Sequence, residues 1–349
     1  MVHAESFNTL IHRKRVGLYT LRGPKGMYAQ ITNYGAKIVS LIVPNKDGEL
    51  ADVVLGFNTL DEWMTKETYF NAVIGRYANR IKNGQFCLDG VNYQLPVNNG
   101  SNALHGGVSG FNEKIWDIVA QSAHSLTLHY RAADGEENYP GNLDAYVTYA
   151  ISPDGAFKVA YEAKTDKPTI VGFTQHAYFN LAGEGSGTVH DHILQVFADS
   201  YTPFDDTACP TGDILPVEGT PMDFRQPHRV GDRMDDPFFA PGRGIDNNWV
   251  LRETKVERQK TKDPLKHAAT VSADGRTMEV WTTMPGLQVY TGNWIERNTG
   301  KSGKTYDIQH AICLEAQNFP DAPNHPSFPS PVLRPQELYR EQTIYQFFI

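Results

Sequence analysis

The chain has 349 residues, 40% of them hydrophobic and 21% charged, with a net charge of −8. That length supports a large hydrophobic core, and the acidic balance argues against nucleic acid or an anionic membrane as a partner, since both need a basic field. It suits a neutral small molecule. The three cysteines, Cys87, Cys209 and Cys313, are odd in number and far apart, which makes neither a disulfide framework nor a metal knuckle. No apolar run is long enough for a bilayer, and the basic start of the chain leads into no apolar signal core. The expectation is a cytoplasmic, reduced protein, a monomer or weak dimer, with no nucleic-acid or membrane partner.

In chain order, residues 26–35 (GMYAQITNYG) and 36–44 (AKIVSLIVP) alternate or run apolar and read as strands. Asp47-Gly48 breaks the next strand pair, LADVVLGF follows at 50–57, and a short helix is expected around 60–65. Asp89-Gly90, Asp154-Gly155 and Asp274-Gly275 each separate two alternating runs. An Asp-Gly pair in that setting predicts a hairpin, because glycine accepts positive φ. Residues 202–243, rich in Pro, Asp and Gly, predict long ordered loops across one face. The polar run 252–264 reads as a solvated connection or an exposed hairpin. With no long helical periodicity, the sequence predicts an all-β protein: one large antiparallel β-sandwich over 1–349 with few short helices.

Six stretches carry polar chemistry. Residues 172–183 read GFTQHAYFNLAG. As a strand they put Thr174, His176, Tyr178 and Asn180 on one face and Phe173, Ala177 and Phe179 on the other. The polar row suits the floor of a wet cleft with a hydroxyl-rich ligand; the alternative is a core histidine in a polar network. GRYANRI at 75–81 sets Arg76 and Arg80 around Asn79. Their forks could grip hydroxyls or a carboxylate, or make ordinary surface ion pairs. NALHGG at 102–107 places His105 before two glycines, which allow backbone to approach a ligand closely. GLQVYTGNWI at 286–295 puts Gln288 and Tyr290 on one face.

AICLEAQNF at 311–319 sets Glu315 and Gln317 on one face of a run that otherwise looks buried. A carboxylate there is paired, shifted in pKa, or lining a cleft. Pro320, Pro323, Pro326 and Pro329 then predict a rigid extended rim. GIDNNWVL at 244–251 offers Asp246 and a stacking candidate, Trp249. Among His105, His176, His190 and His192, only the last pair has strand spacing, and it lacks a third ligand nearby. No metal or other cofactor is expected, and no phosphate loop or nucleophile elbow occurs.

Taken in order, NYGAKIVSL, VVLGF, GRYANRI, LHGG, HAYFNL, PMDFR, GIDNNWVL, YTGNW and LEAQNFPDAPN resemble the aldose 1-epimerase (galactose mutarotase) family over nearly the whole length. The resemblance implies a β-sandwich with a sugar site on a concave sheet face, and mutarotation of free hexoses such as glucose and galactose. It implies Glu315 as general base and His176 as general acid, with Asn79, Arg80, His105, Asp246 and Gln288 at the sugar. Tyr178 and Asn180 join these through their shared face with His176. Two positions depart from the family pattern: Ala177 stands where many members have proline, and Asn247 where many have histidine. The second is expected to alter a cleft wall. Two rivals remain open at this point, an epimerase of hexose 6-phosphates and a non-catalytic sugar-binding module. A near-neutral optimum asks the site either to raise the pKa of His176, with Asp246 and Glu315 as the carboxylates at hand, or to run on a minority protonation state.

Overall fold

A computed structural model describes residues 1–253 and 265–348; most of the expected polar connection, 254–264, lies outside them. All four Asp-Gly pairs close hairpins. At two of them the loop is just the pair, with both residues at positive φ: Asp89 (51°) with Gly90 (81°), and Asp274 (49°) with Gly275 (71°). That geometry twists with the flanking strands, which is why the pair is favoured there. The expected helix is Leu60–Thr65. Thr59 caps it by accepting the Glu62 N–H, and Glu62 accepts the Thr59 N–H in return. No helix among the described residues is long and apolar enough to cross a membrane.

The largest sheet among the described residues has nine strands. Its middle runs Leu143–Ile151, Ala156–Thr165, Tyr339–Phe347, Arg276–Thr282 and Lys266–Ala273, all antiparallel. The last strand of the chain therefore sits at the centre of this sheet. Alternation is regular: Leu143, Ala145, Val147, Tyr149 and Ile151 point inward while the residues between them are partly exposed. A five-stranded sheet faces it, ordered Leu215–Pro216, Ala198–Thr202, Asp246–Leu251, Gly286–Tyr290 and Cys313–Gln317. One continuous core joins Val147, Val159, Val280 and Tyr345 of the first sheet to Trp249, Leu287, Val289 and Leu314 of the second. A four-stranded sheet, Leu18–Arg22 to Leu50–Asp52, packs into the same core through Leu21, Ile31, Ile38 and Leu41.

The 202–243 segment is mostly loop, as expected, but also holds the short strands Leu215–Pro216 and His228–Arg229 and two 3-10 turns. The proline rim is not extended throughout. Asp321, at φ 54°, starts a 3-10 turn over Ala322–Asn324, and its Oδ1 accepts the Lys82 N–H at 3.0 Å. The prolines restrict the chain without straightening it.

One buried cation braces the wall that faces the site. Lys37 is fully buried, donates to the Thr68 carbonyl at 2.9 Å, and lies 5.2 Å and 5.6 Å from the rings of Tyr34 and Trp63. Burial pushes its pKa down to about 7. The folded chain thus binds fewer protons than the unfolded one between about pH 7 and the unfolded value near 10, and its stability rises with pH across that window. Lys37→Met, which keeps the stem and removes the charge, is expected to melt at or above the wild-type temperature at pH 6. That advantage should shrink at pH 9, where the wild-type amine is neutral. A melting difference independent of pH would show that the ammonium carries no burial penalty.

Candidate active site

The site starts from strand register. In an antiparallel pair, directly opposed residues share a face. Asn248, Gln288 and Glu315 are opposed across three adjacent strands, and Asp246, Tyr290 and Cys313 form the next such row. One face of this sheet is therefore a polar grid. The residues between them, Trp249, Leu287 and Ala316, then Asn247, Val289 and Leu314, face the core.

Two expectations are corrected by this register. Trp249 is wholly buried and its indole N–H donates to the Met222 carbonyl at 3.1 Å, so it is core and not a stacking platform. Asn247 lies on the core side, accepting the Asp246 N–H at 3.2 Å, so the departure there alters no cleft wall. Ala177 is likewise buried in the core.

Above the grid is a cavity of about 620 Å³, lined by Asn79, Arg80, His105, His176, Tyr178, Asp246, Tyr290 and Glu315 among others. Gln288 lines a recess beside it with Asn79, Arg80 and Asp246, and donates to Asp246 Oδ1 at 2.7 Å. Eight of the nine expected residues thus come together. Asn180 does not. Its side chain turns away to donate to the Gly187 and His310 carbonyls and to accept the Ala182 N–H. The strand itself ends at Gln175; past it His176 and Tyr178 still line the cavity, while Asn180 is taken up by these loop contacts.

His176 is held by Asn71. The Asn71 N–H donates to the His176 carbonyl, its Oδ1 accepts the Tyr178 N–H, and its amide donates to the Ile38 and Leu55 carbonyls. This ties the histidine segment to the four-stranded sheet. The His176 ring stacks on Tyr178 at 4.9 Å. Its Nε2 is 3.6 Å from Glu315 Oε1, too far for a hydrogen bond. His176 Nδ1, Glu315 Oε2 and Gln288 Oε1 are buried without a protein partner. Buried polar atoms are normally satisfied, so this group marks the floor as a place where a polar ligand belongs.

Burial drives both members of the central pair towards neutrality. His176 is pushed down to about 3, and Glu315 is pushed well above the carboxyl range, with the charge of Asp246 adding to the push and Arg80 opposing it. Burial also raises Asp246 and keeps His105 neutral.

Asn79 and His105 are latched together. The His105 N–H donates to the Asn79 carbonyl at 2.9 Å, and the Asn79 N–H donates to His105 Nδ1 at 3.1 Å. Both residues sit at positive φ, 63° and 53°, a conformation unusual for side-chain-bearing residues and frequent at functional sites. Because Nδ1 accepts, the ring proton is on Nε2. The glycines after His105 serve the protein's own packing: a Cβ on Gly106 would lie 1.9 Å from the Gly75 carbonyl oxygen.

The two arginines of one motif divide. Arg76 is buried and donates to the Pro140 and Gly141 carbonyls and Thr169, whereas Arg80 lines the cavity with its Nε on Asn99 Oδ1 at 3.0 Å. Among the cavity residues not singled out in the sequence are Glu67, Tyr69 and Trp294. Tyr69 lies against His105 with ring centroids 4.7 Å apart. Glu67 and Tyr69 alternate in KETYF, and Trp294 ends YTGNW, but neither pattern distinguishes a cavity wall from an ordinary surface. Trp294 is 57% exposed, unlike Trp63, Trp116, Trp249 and Trp281, and Arg243 packs on its ring at 4.7 Å.

The fold brings His105, His176 and Glu315 within 4.8 Å of one another, a donor set that sequence spacing had not revealed. Its chemistry does not fit a metal. A metal-bound histidine donates its other ring N–H outward, whereas His105 Nδ1 accepts from a backbone N–H, which leaves the proton on Nε2. His190 and His192 bond to Gln309 and to the Leu181 N–H.

An antiparallel sandwich with a facing carboxyl and imidazole and further polar groups in an open cavity suits proteins acting on polyhydroxylated small molecules. The comparisons make this particular. The family model described as aldose 1-epimerase matches residues 17–346. Galactose mutarotase of Rattus norvegicus is 42% identical over 320 residues, 91% of this chain and 90% of that protein. Aldose 1-epimerase of Escherichia coli K12 is 36% identical over 335 residues, 95% and 94% of the two chains. The crystal structure of an aldose epimerase homologue from C. elegans superposes with a TM-score of 0.86 at 30% identity, covering 95% of this chain and 99% of that one. The chain belongs to the aldose 1-epimerase family. It is an isomerase that interconverts aldose anomers.

Because the His105 tautomer disfavours a metal, exhaustive treatment with EDTA is expected to leave mutarotation unchanged. Loss on chelation, restored by one divalent ion, would overturn that reading.

Proposed function

We propose that the chain interconverts the α and β anomers of free hexoses such as glucose and galactose, with Glu315 as general base and His176 as general acid. The observation that carries this is the 3.6 Å gap between their facing atoms on the cavity floor. Ring opening removes the proton of the anomeric hydroxyl and delivers one to the ring oxygen. Those two oxygens are bonded to one carbon, so acid and base must act a few ångströms apart. The open aldehyde turns about its adjacent C–C bond and recloses on the other face, and the two protons run back. Each transfer contributes typically about 10²–10⁴-fold.

The proton count of the pair supports these roles. With Glu315 pushed up and His176 pushed down, a single proton shared by the pair rests on Glu315. That is the arrangement reached once the sugar is open. The closed sugar needs the same proton on His176, facing a carboxylate. Hydroxyl donors from the sugar, with Arg80 already drawing Glu315 down, favour that form on binding. The expectation of a histidine pKa raised in the resting site is thereby reversed: desolvation outweighs the neighbouring carboxyls. The Nε2–H of His105 and the guanidinium of Arg80 are suited to steady charge on the ring oxygen. Asn79, Asp246 and Gln288 are suited to the remaining hydroxyls, and Tyr178 backs His176.

The rivals lack support. A phosphate dianion calls for an arginine cluster, and Arg76 is committed elsewhere. A pure binder does not need a facing acid and base. A single working unit is supported by the central position of Tyr339–Phe347 in the nine-stranded sheet. The three free cysteines fit a reducing, cytoplasmic setting.

Polarimetry of freshly dissolved α-glucose and α-galactose tests the reading. Glu315→Gln, nearly isosteric but unable to take up a proton, is expected to lose at least about 10²-fold in kcat with an unchanged melting temperature. Wild-type rates in the folded variant would remove Glu315 from the reaction.

The pH profile tests the proton count. A second proton enters the pair only towards the lowered histidine value of about 3, and the shared proton leaves only above the raised carboxyl value. kcat/KM is therefore expected to show no acid limb between pH 5 and 7, with the alkaline limb set by Glu315 and not by His176. An acid limb centred near the unperturbed histidine value of about 6.5 would mean that the imidazole is solvated at rest.

A further inference from the structure

We propose that Glu67 is a specificity-determining residue, an ionisable wall of the cavity that selects against anionic aldoses and favours neutral and cationic ones. The proposal rests on the assignment of this cavity as the aldose site. Glu67 lines the cavity with Tyr178, Tyr290 and Trp294. Its Oε1 is pinned by the Glu296 N–H at 2.7 Å and approached by the Asn298 amide at 3.5 Å. Its Oε2 makes no hydrogen bond among the described residues and is not one of the fully buried unpartnered atoms, so it is open to the cavity. One oxygen thus fixes the group and the other meets the ligand.

The charges around it give the carboxyl its leverage. Glu296, Tyr178 and Tyr290 are the ionisable groups facing Glu67, and burial raises both phenols so that they stay neutral. Lys66, next in sequence, is turned to Glu62 at 2.9 Å. Lys37 reaches the carbonyl of Thr68 on the same segment. Elsewhere in the cavity Asp205 is paired with Lys82, and His105 and His176 are held neutral, so Arg80 is the one cation among the described lining residues. Asp206 and Asp246 add to the acidic side. An anion inside the cavity meets less screening than one in bulk water. Burial pushes Glu67 up to about 7, so its charge forms across the neutral range.

The test compares glucuronate, anionic throughout, with glucose. The wild-type ratio of kcat/KM for glucuronate over glucose is expected to fall about ten-fold from pH 6 to pH 8. Glu67→Gln keeps the acceptor for the Glu296 N–H and should flatten that slope, while Glu67→Asp should retain it. At pH 7 the glucosamine to glucose ratio should fall in Glu67→Gln. A slope unchanged in Glu67→Gln, or no discrimination by the wild type, would overturn the proposal. Failure of the wild type to accelerate glucose itself would instead overturn the mutarotase reading, which keeps the two outcomes apart.

Discussion

A carboxyl group is buried on the last strand of the five-stranded sheet, and the rest of the site follows from that. Glu315 is 2% exposed and lies on Cys313–Gln317, whose other face is core. An ionised carboxylate in such a place is expensive unless partners satisfy it. The fold leaves Oε2 without a protein partner and sets a neutral imidazole 3.6 Å from Oε1. The unmet hydrogen-bonding capacity is what a hydroxylated ligand can satisfy, and the raised pKa is in keeping with the proton exchange proposed for the group.

Rigidity around the pair has named sources. Asn71 links the His176 segment to Ile38 and Leu55, so the imidazole is referred to the four-stranded sheet while Glu315 belongs to the five-stranded one. The gap between His176 and Glu315 is thus set by how two sheets pack, and the proposed proton transfers need that precision. His105 and Asn79 hold each other through two hydrogen bonds at left-handed backbone positions. Local strain there is compensated by surrounding packing, including the close approach of Gly106 to the Gly75 carbonyl.

Similar residues take opposite roles a few positions apart. Arg76 braces buried carbonyls and Arg80 enters the cavity. Trp249 fills the core and Trp294 stands at the rim. Each division follows the facing of the backbone and not the residue type. The same rule makes the two departures from the family pattern harmless to the cavity, since Ala177 and Asn247 both sit on the core side.

By itself the sequence determined the class of fold and most of the site. Asp-Gly pairs between alternating runs are local devices, and the hairpins they specify form wherever the chain goes; a two-residue period likewise paired Gln288 with Tyr290 and Glu315 with Gln317, while the register across strands put Gln288 and Glu315 side by side. Tertiary structure decided whatever depends on where a strand ends or what packs across it. Asn180 fell out of the site because the Gly187 and His310 carbonyls and the Ala182 N–H take up its amide. Glu67 and Trp294 entered it because a distant loop and a strand end meet at one wall, pinned by the Glu296 N–H. The resting protonation of His176 was decided there too. Desolvation depends on the density of everything around the ring, and no spacing within the chain encodes it.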